Sequence, residues 1–121
     1  MDHEIFVSHD GTYIVLRIIG ETGRHRMAQV TEAHALGAEL NITRFLVDLR
    51  DAVNVDRPMD DYKMAYHDFP SESTVNRTAR VACLVAPGDR SHDFLITVFR
   101  NSGSWIEQFD DLSQAEVYLR G

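Results

Sequence analysis

The apolar residues of the chain follow two kinds of pattern, and these patterns alternate along the sequence. In five short stretches apolar residues are continuous or occur at every second position, which is typical of β-strands. These stretches are residues 4–9, 12–19, 45–49, 81–86 and 104–109. The second, third and fourth are apolar almost throughout, which indicates strands covered on both faces. The fifth alternates polar and apolar positions, as an edge strand does.

The first two strands are separated by Asp10-Gly11. A two-residue Asp-Gly link is a strong hairpin signal, because glycine accepts the positive φ angle that a tight turn requires. The sequence therefore predicts an antiparallel hairpin near the N-terminus, closed by these two residues.

In four other stretches apolar residues recur at spacings of three and four, which predicts helices. These stretches are residues 24–40, 56–69, 89–101 and 113–120. The second helix is expected to have Asp56 as its N-cap and to place Pro58 in its first turn. Pro70 and the polar segment Ser71-Glu72-Ser73-Thr74 are expected to stop it.

The element order is β-β-α-β-α-β-α-β-α, and it predicts an α/β fold. We expect a five-stranded, mostly parallel sheet with an N-terminal antiparallel hairpin strand and about four helices. A chain of 121 residues is long enough to bury one core, so residues 1–121 are expected to form a single domain.

The composition narrows the class of partner. Twelve basic and nineteen acidic residues give a net charge of −7, which argues against a nucleic-acid partner. The single cysteine, Cys83, lies in an apolar run, which predicts a buried thiol and a reducing, cytoplasmic location. The N-terminus lacks a signal-peptide pattern, and no apolar run reaches the roughly 20 residues of a membrane span.

The chain carries no Gly-x-Gly-x-x-Gly, P-loop, Gly-x-Ser-x-Gly or Cys-x-x-Cys motif, so neither an enzyme nor a cofactor is predicted. The six histidines are not spaced as a set of metal ligands, and no metal site is predicted. A weaker alternative is a small hydrolase built on Asp48, Asp51 and His67, although nothing in the sequence brings these three residues together.

Three local features carry a family resemblance. They are Asp48-Leu49 at the end of the third strand, the apolar fourth strand before Pro87-Gly88, and the closing Phe109-Asp110-Asp111 followed by Ala115 and Leu119. With the element order, they resemble the STAS domain (sulphate transporter and anti-sigma-factor antagonist), and more closely the SpoIIAA-like group of small stand-alone bacterial proteins. The resemblance implies the fold above and a non-enzymatic regulatory role exercised through protein contacts.

One motif of that family is missing. In phosphorylatable STAS proteins the Asp-Leu pair is followed, eight positions after its aspartate, by Asp-Ser-Ser-Gly. Here Asp56 occupies that position, but the next residues are Arg57-Pro58-Met59, and neither serine is present. We therefore predict that the protein is not switched by serine phosphorylation at this site.

The candidate binding residues lie in and before the second helix. They are Asp51, Asp56, Arg57, Met59, Tyr62, Tyr66 and Phe69. The acidic residues are explained at least as well by capping and by the helix dipole. The Met/Tyr-rich stripe can be core, a surface for a protein partner or for self-association, or the wall of an apolar pocket for a small molecule or lipid. A closed cavity of a few hundred Å³ or more would favour the last alternative, a carrier of a small molecule or lipid.

Overall fold

The computed structural model describes residues 2–22, 26–71 and 74–121, and it is built on one five-stranded sheet. The strands lie side by side in sequence order: β1 (Asp2–Val7), β2 (Ile14–Thr22), β3 (Arg44–Asn54), β4 (Arg80–Val85) and β5 (Trp105–Phe109). β1 is antiparallel to β2, and all the other pairs are parallel. The predicted mostly parallel sheet with one antiparallel hairpin strand is confirmed.

Four helical segments connect and follow the parallel strands. They are α1 (Arg26–Leu40), a continuous 58–71 segment, α4 (Asp93–Asn101) and α5 (Leu112–Arg120). The 58–71 segment consists of α2 (Pro58–Lys63), a π-helical turn (Met64–Asp68) and α3 (Phe69–Ser71). The predicted α/β class and helix number are confirmed, and the predicted start of the first helix at residue 24 lies outside the described residues.

The helices cover both faces of the sheet. On the front face, α1, the 58–71 segment and α4 bury residues such as Ala33, Phe69 and Phe99 against the strand residues Leu16 and Phe45. Apolar burial of this kind contributes about 25 cal/mol per Å² and is the main favourable term in folding. The buried cluster on the front face is the larger of the two in the described residues.

The back face is covered by α5, which packs across β3, β4 and β5. Ala115 and Leu119 of this helix form a second buried cluster with Val15, Leu46 and Leu84. The sheet is thus buried on both faces along its central strands, as their nearly continuous apolar sequences predict.

The hairpin is wider than its sequence suggests. Residues 8–13 connect β1 to β2, so the predicted two-residue link at Asp10-Gly11 is wrong. The Asp10 carboxylate accepts hydrogen bonds from the Thr12 backbone N–H and the Ser8 hydroxyl, and Gly11 has a φ of 76°. An Asp side chain that bonds the backbone two residues later stabilises a turn of its own, and this interaction holds the longer connection.

Gly37 provides a test of the packing between α1 and the start of β3. A Cβ atom at this position would lie 2.7 Å from Cζ of Phe45 and 2.8 Å from the carbonyl oxygen of Ile42. Overpacking costs about 1–3 kcal/mol, and contact with a backbone atom places this site in the upper part of that range, at about 2–3 kcal/mol. The better helix propensity of alanine offsets about 1 kcal/mol of this cost. We therefore expect Gly37→Ala to lower the free energy of unfolding in urea by roughly 1–2 kcal/mol.

The matched control for this substitution is Ala35→Gly, at an exposed position of the same helix. It reports helix propensity without any change in packing. A Gly37→Ala protein as stable as the wild type would contradict the close approach of α1 to Phe45.

Candidate functional site

β3 is longer than predicted and changes the place of Asp51. The strand continues past residue 49 to Asn54 because it pairs with β2 as far as Thr22. Asp51 lies opposite Ile19 within this pairing, and its Oδ2 accepts a hydrogen bond of 2.6 Å from Arg17. Its side chain is therefore engaged in an exposed ion pair on the sheet, seven residues before the helix begins at Pro58.

The helix that follows β3 is capped by Arg57. The Arg57 backbone is extended, and its N–H donates a 3.2 Å hydrogen bond to Oδ2 of Asp60. Pro58 occupies the first turn, as predicted, because its missing N–H has no partner to lose there. The prediction of Asp56 as the N-cap is wrong. Asp56 is half-buried, and its own N–H donates to Oδ1 of Asn54.

A buried ion pair, which the sequence did not reveal, fixes this helix to the sheet. Arg26 is 5% exposed and Asp61 is 2% exposed, and Nη1 of Arg26 lies 3.2 Å from Oδ1 of Asp61. Asn54, at the end of β3, joins them: its Oδ1 accepts from Arg26 at 2.7 Å and its Nδ2 donates to Asp61 at 3.2 Å. The Asp56 carboxylate lies 3.6 Å from Arg26.

The network links three elements at one point. Arg26 is the first described residue of α1, Asn54 ends β3, and Asp61 lies in α2. Buried charges are costly unless they are paired and hydrogen-bonded, and both conditions are met here. The signal available in the sequence was weak, because an arginine and an aspartate near helix starts ordinarily indicate exposed residues.

The 58–71 segment separates its apolar residues into an outer and an inner set. Met59, Tyr62 and Tyr66 are 72%, 50% and 45% exposed, and we call them the outer stripe. The rings of Tyr62 and Tyr66 stack with their centroids 4.6 Å apart. Phe69, by contrast, is 8% exposed and belongs to the front core. The candidate residues Met59, Tyr62 and Tyr66 therefore share a surface that Phe69 does not reach.

The π-helical turn accounts for this separation. The N–H of Phe69 donates to the carbonyl of Met64, five residues earlier, instead of four as in an α-helix. This wider turn changes the direction in which later side chains point, so Phe69 leaves the face that carries the tyrosines. Helical structure passes through Pro70 and reaches Ser71, the first residue of the polar segment that was predicted to stop the helix. A proline ring clashes with the carbonyl four residues earlier in a regular α-helix, and the π-turn before Pro70 relaxes that constraint.

An apolar cavity of about 90 Å³ lies between the front face of the sheet and the helices that cover it. Met64 and Phe69 line it from the 58–71 segment, and Cys83 lines it from β4. Burial raises the pKa of the Cys83 thiol to about 12, so the group is a poor nucleophile, as predicted. The cavity is below the roughly 300 Å³ at which pockets for drug-sized ligands begin, and a lipid does not fit it.

His34 also lines the cavity. Its ring is stacked on Phe45 at 4.3 Å, and its Nδ1 accepts a 3.0 Å hydrogen bond from the backbone N–H of Asn76. Burial lowers the pKa of His34 to about 4, so the imidazole is neutral near pH 7. Because Nδ1 is the acceptor, the proton of the neutral ring is on Nε2.

The residues of the weaker hydrolase alternative do not form a site. The Asp48 carboxylate is held by Arg50 through two side-chain hydrogen bonds of 3.0 and 2.9 Å, and Asp51 is held by Arg17. His67 lies on the 58–71 segment, exposed and 3.0 Å from Asp68. Asp48 is level with Arg17 and Leu84 in the sheet and shares the back face with Leu84, whereas the 58–71 segment covers the front.

The described part of the chain shows neither a metal centre nor a membrane-spanning helix. Among residues 2–22, 26–71 and 74–121, no three His, Cys, Asp or Glu side chains converge in a way that suits a metal ion. Over the same residues, no helix has the length and apolar character needed to cross a membrane.

Comparisons with known proteins define the class of fold. No protein-family model matches the sequence, and no curated protein matches it. Solved structures do match, along nearly the whole chain, and they show a SpoIIAA-like α/β fold, as the resemblance implied.

Two of these structures match over more than nine-tenths of both chains. One is the anti-sigma factor antagonist SpoIIAA in its unphosphorylated form, with 15% identity, a TM-score of 0.58 and coverage of 99% of both chains. The other is an uncharacterised protein of the DUF3478 family with a SpoIIAA-like fold from Shewanella loihica PV-4. It has 18% identity and a TM-score of 0.57, over 98% of this chain and 92% of that one. At sequence identities this low, the structural match establishes a shared fold and nothing more.

Proposed function

We propose that this chain is a non-enzymatic regulatory domain that binds a protein partner through the outer stripe, Met59, Tyr62 and Tyr66. The observation that carries the proposal is the exposure of three large apolar side chains on one helix, at spacings of three and four that place them on the same face. Tyrosine and methionine are enriched at protein interfaces, and adjacent exposed apolar side chains mark interaction sites.

The support beneath the stripe suits this role. The inner side of the same segment is fixed by the Arg26–Asp61 pair and by the burial of Met64 and Phe69. A rigid support reduces the ordering entropy that binding requires. The mutual stacking of Tyr62 and Tyr66 further limits the conformations of the two side chains that would make the contact.

We propose a different protein, and not a second copy, as the partner. Each chain carries a net charge of −7, so two copies repel each other, whereas a basic partner is attracted. The fold is shared with a protein described as an anti-sigma factor antagonist, which acts on another protein. With Arg57-Pro58-Met59 at the helix start, we expect this contact to be independent of serine phosphorylation at that position.

The proposal is tested by removing the stripe without disturbing the core. The Tyr62→Ser/Tyr66→Ser protein should lose more than about tenfold in affinity for its partner, since buried interface tyrosines are often hot spots. Loss of the ring stacking should lower the free energy of unfolding by only about 1 kcal/mol. The measurements are calorimetric titration with the partner that co-purifies with the wild type, and urea unfolding.

The control for this experiment is Leu40→Ser/Val117→Ser, which removes two exposed apolar side chains from other helices. It should bind the partner as the wild type does. Equal loss of binding in both double variants, or no loss in the tyrosine variant, would contradict the proposal. A wild-type protein that forms only a homodimer would contradict the choice of partner.

A second candidate function is the binding of a small molecule. The observation that favours it is the apolar cavity under the 58–71 segment. Its volume of about 90 Å³ restricts this candidate to ligands far smaller than a lipid.

A further inference from the structure

We infer that the front-side cavity is a binding site for a small neutral molecule with an apolar body and one oxygen acceptor, and that His34 holds this oxygen through its Nε2–H. The inference deepens the second candidate function by naming the class of ligand and the residue that recognises it. It does not depend on the outer stripe.

The first observation is an unused hydrogen-bond donor. His34 is 95% buried, since its exposed fraction is 5%, and it lines the cavity. Its Nδ1 is occupied by the Asn76 N–H, and its Nε2–H has no hydrogen-bond partner among the described residues. Nε2 is not among the side-chain atoms that are both inaccessible and unpaired, so this donor keeps some accessible surface, and the residue that carries it lines the cavity. An acceptor within the cavity satisfies it.

The second observation is the character of the cavity wall. Most of the remaining lining is apolar. It comes from the strands, as with Leu16 and Phe45, and from the helices that cover them, as with Leu95 and Ile96. An apolar cavity of about 150 Å³ stays dry and accepts a benzene ring. At about 90 Å³ the present cavity accepts a smaller body.

The third observation is the π-helical turn. Met64, its first residue, lines the cavity. π-helical turns are rare and occur frequently at functional sites. Methionine is also the most adaptable apolar side chain, so this wall can adjust to an occupant.

The polarity of the ligand follows from the same contacts. A cation is excluded because the lining already contains the guanidinium of Arg26, buried with its own partners. An anion would have to shed its hydration shell into an almost wholly apolar space, at the cost of several kcal/mol. His34 stays neutral, because burial keeps its pKa near 4, and it therefore offers one uncharged N–H. These properties select a ketone, ether or similar neutral oxygen compound.

Half-buried Asn76 and exposed Arg77 line the cavity where it approaches the surface.

The test uses two probes of equal shape, 2-butanone and 2-methyl-1-butene, which differ in carrying an oxygen or a methylene group. Both are titrated into the full-length protein while NMR follows the methyl groups of Met64, Leu95 and Ile96. Both should shift these signals saturably, and 2-butanone alone should move the His34 Nε2 resonance. In His34→Asn, whose Oδ1 still accepts from Asn76, 2-butanone should bind about three- to tenfold more weakly. The alkene should bind as it does to the wild type.

Cys83→Met serves as the second variant because its longer side chain fills the space. It should abolish the shifts caused by both probes. If it fails to fold, the wild-type Nε2 resonance alone decides the question. Absence of saturable methyl shifts with either probe would overturn the site, and so would unchanged binding in folded Cys83→Met. The role of His34 would be overturned if 2-butanone left the Nε2 chemical shift unchanged. It would also be overturned if His34→Asn weakened the binding of both probes equally.

Discussion

Replacing Arg26 with methionine should lower the free energy of unfolding by about 3–5 kcal/mol, because it leaves the buried carboxylate of Asp61 without its countercharge. Asp61 is only 2% exposed and keeps a single neutral partner, the side-chain amide of Asn54. A loss of this size is a large part of the roughly 5–15 kcal/mol that stabilises a domain. Urea unfolding followed by circular dichroism measures it.

Two controls identify the mechanism. The Arg26→Met/Asp61→Leu protein should recover most of the loss, since removing both charges also removes their desolvation. Arg17→Met, which breaks the exposed pair with Asp51, should change stability little because solvent screens that pair. If the double variant is no more stable than Arg26→Met, the damage comes from lost packing and not from the unpaired charge.

Acid should destabilise the protein through His34. The pKa of His34 is about 4 in the folded protein, whereas a histidine in an unfolded chain has a pKa near 6.5. Between pH 4 and pH 6.5 the unfolded chain therefore binds more protons than the folded protein. Stability from this group is therefore complete above about pH 6.5 and is lost as the pH falls towards 4, by up to roughly 1.4 kcal/mol per pH unit and about 3 kcal/mol in total.

His34→Asn separates this effect from the titration of the carboxylates. It keeps an acceptor for the Asn76 N–H but does not titrate, so the loss of stability between pH 7 and pH 4.5 should be smaller than in the wild type by about 2 kcal/mol. His9→Asn, at an exposed position, should behave as the wild type. Parallel pH profiles for the wild type and His34→Asn would contradict the burial of a neutral imidazole.

The fold was predictable because two periodicities alternate along the chain. The continuous apolar runs of β2 and β4 and the three-and-four spacing of the helices correspond to observed elements. The length of β3 was not predictable, because its last residues, from Arg50 to Asn54, interrupt the apolar run while pairing continues with β2. Backbone pairing, which holds those residues in the strand, leaves no pattern in the side chains.

The candidate site was predictable only in part. The sequence placed Met59, Tyr62, Tyr66 and Phe69 on one helical face, which is correct for an α-helix, but the π-turn sends Phe69 into the core. The Arg26–Asp61 pair escaped prediction because the two residues are far apart in the sequence and each is of a type usually exposed. Burial of such groups is decided by their partner, and the partner is visible only in three dimensions.

The central claim is that the outer stripe contacts a protein partner, and site-specific photo-crosslinking tests it most directly. A benzoylphenylalanine residue is introduced at Tyr62, and in a matched protein at Val117, an exposed residue of α5. After illumination in cells that naturally make the protein, the products are separated by mass. We predict one dominant heteromeric adduct from position 62, abolished by Met59→Asp, and none from position 117. The same adducts from both positions, or only crosslinked copies of this chain, would contradict the account.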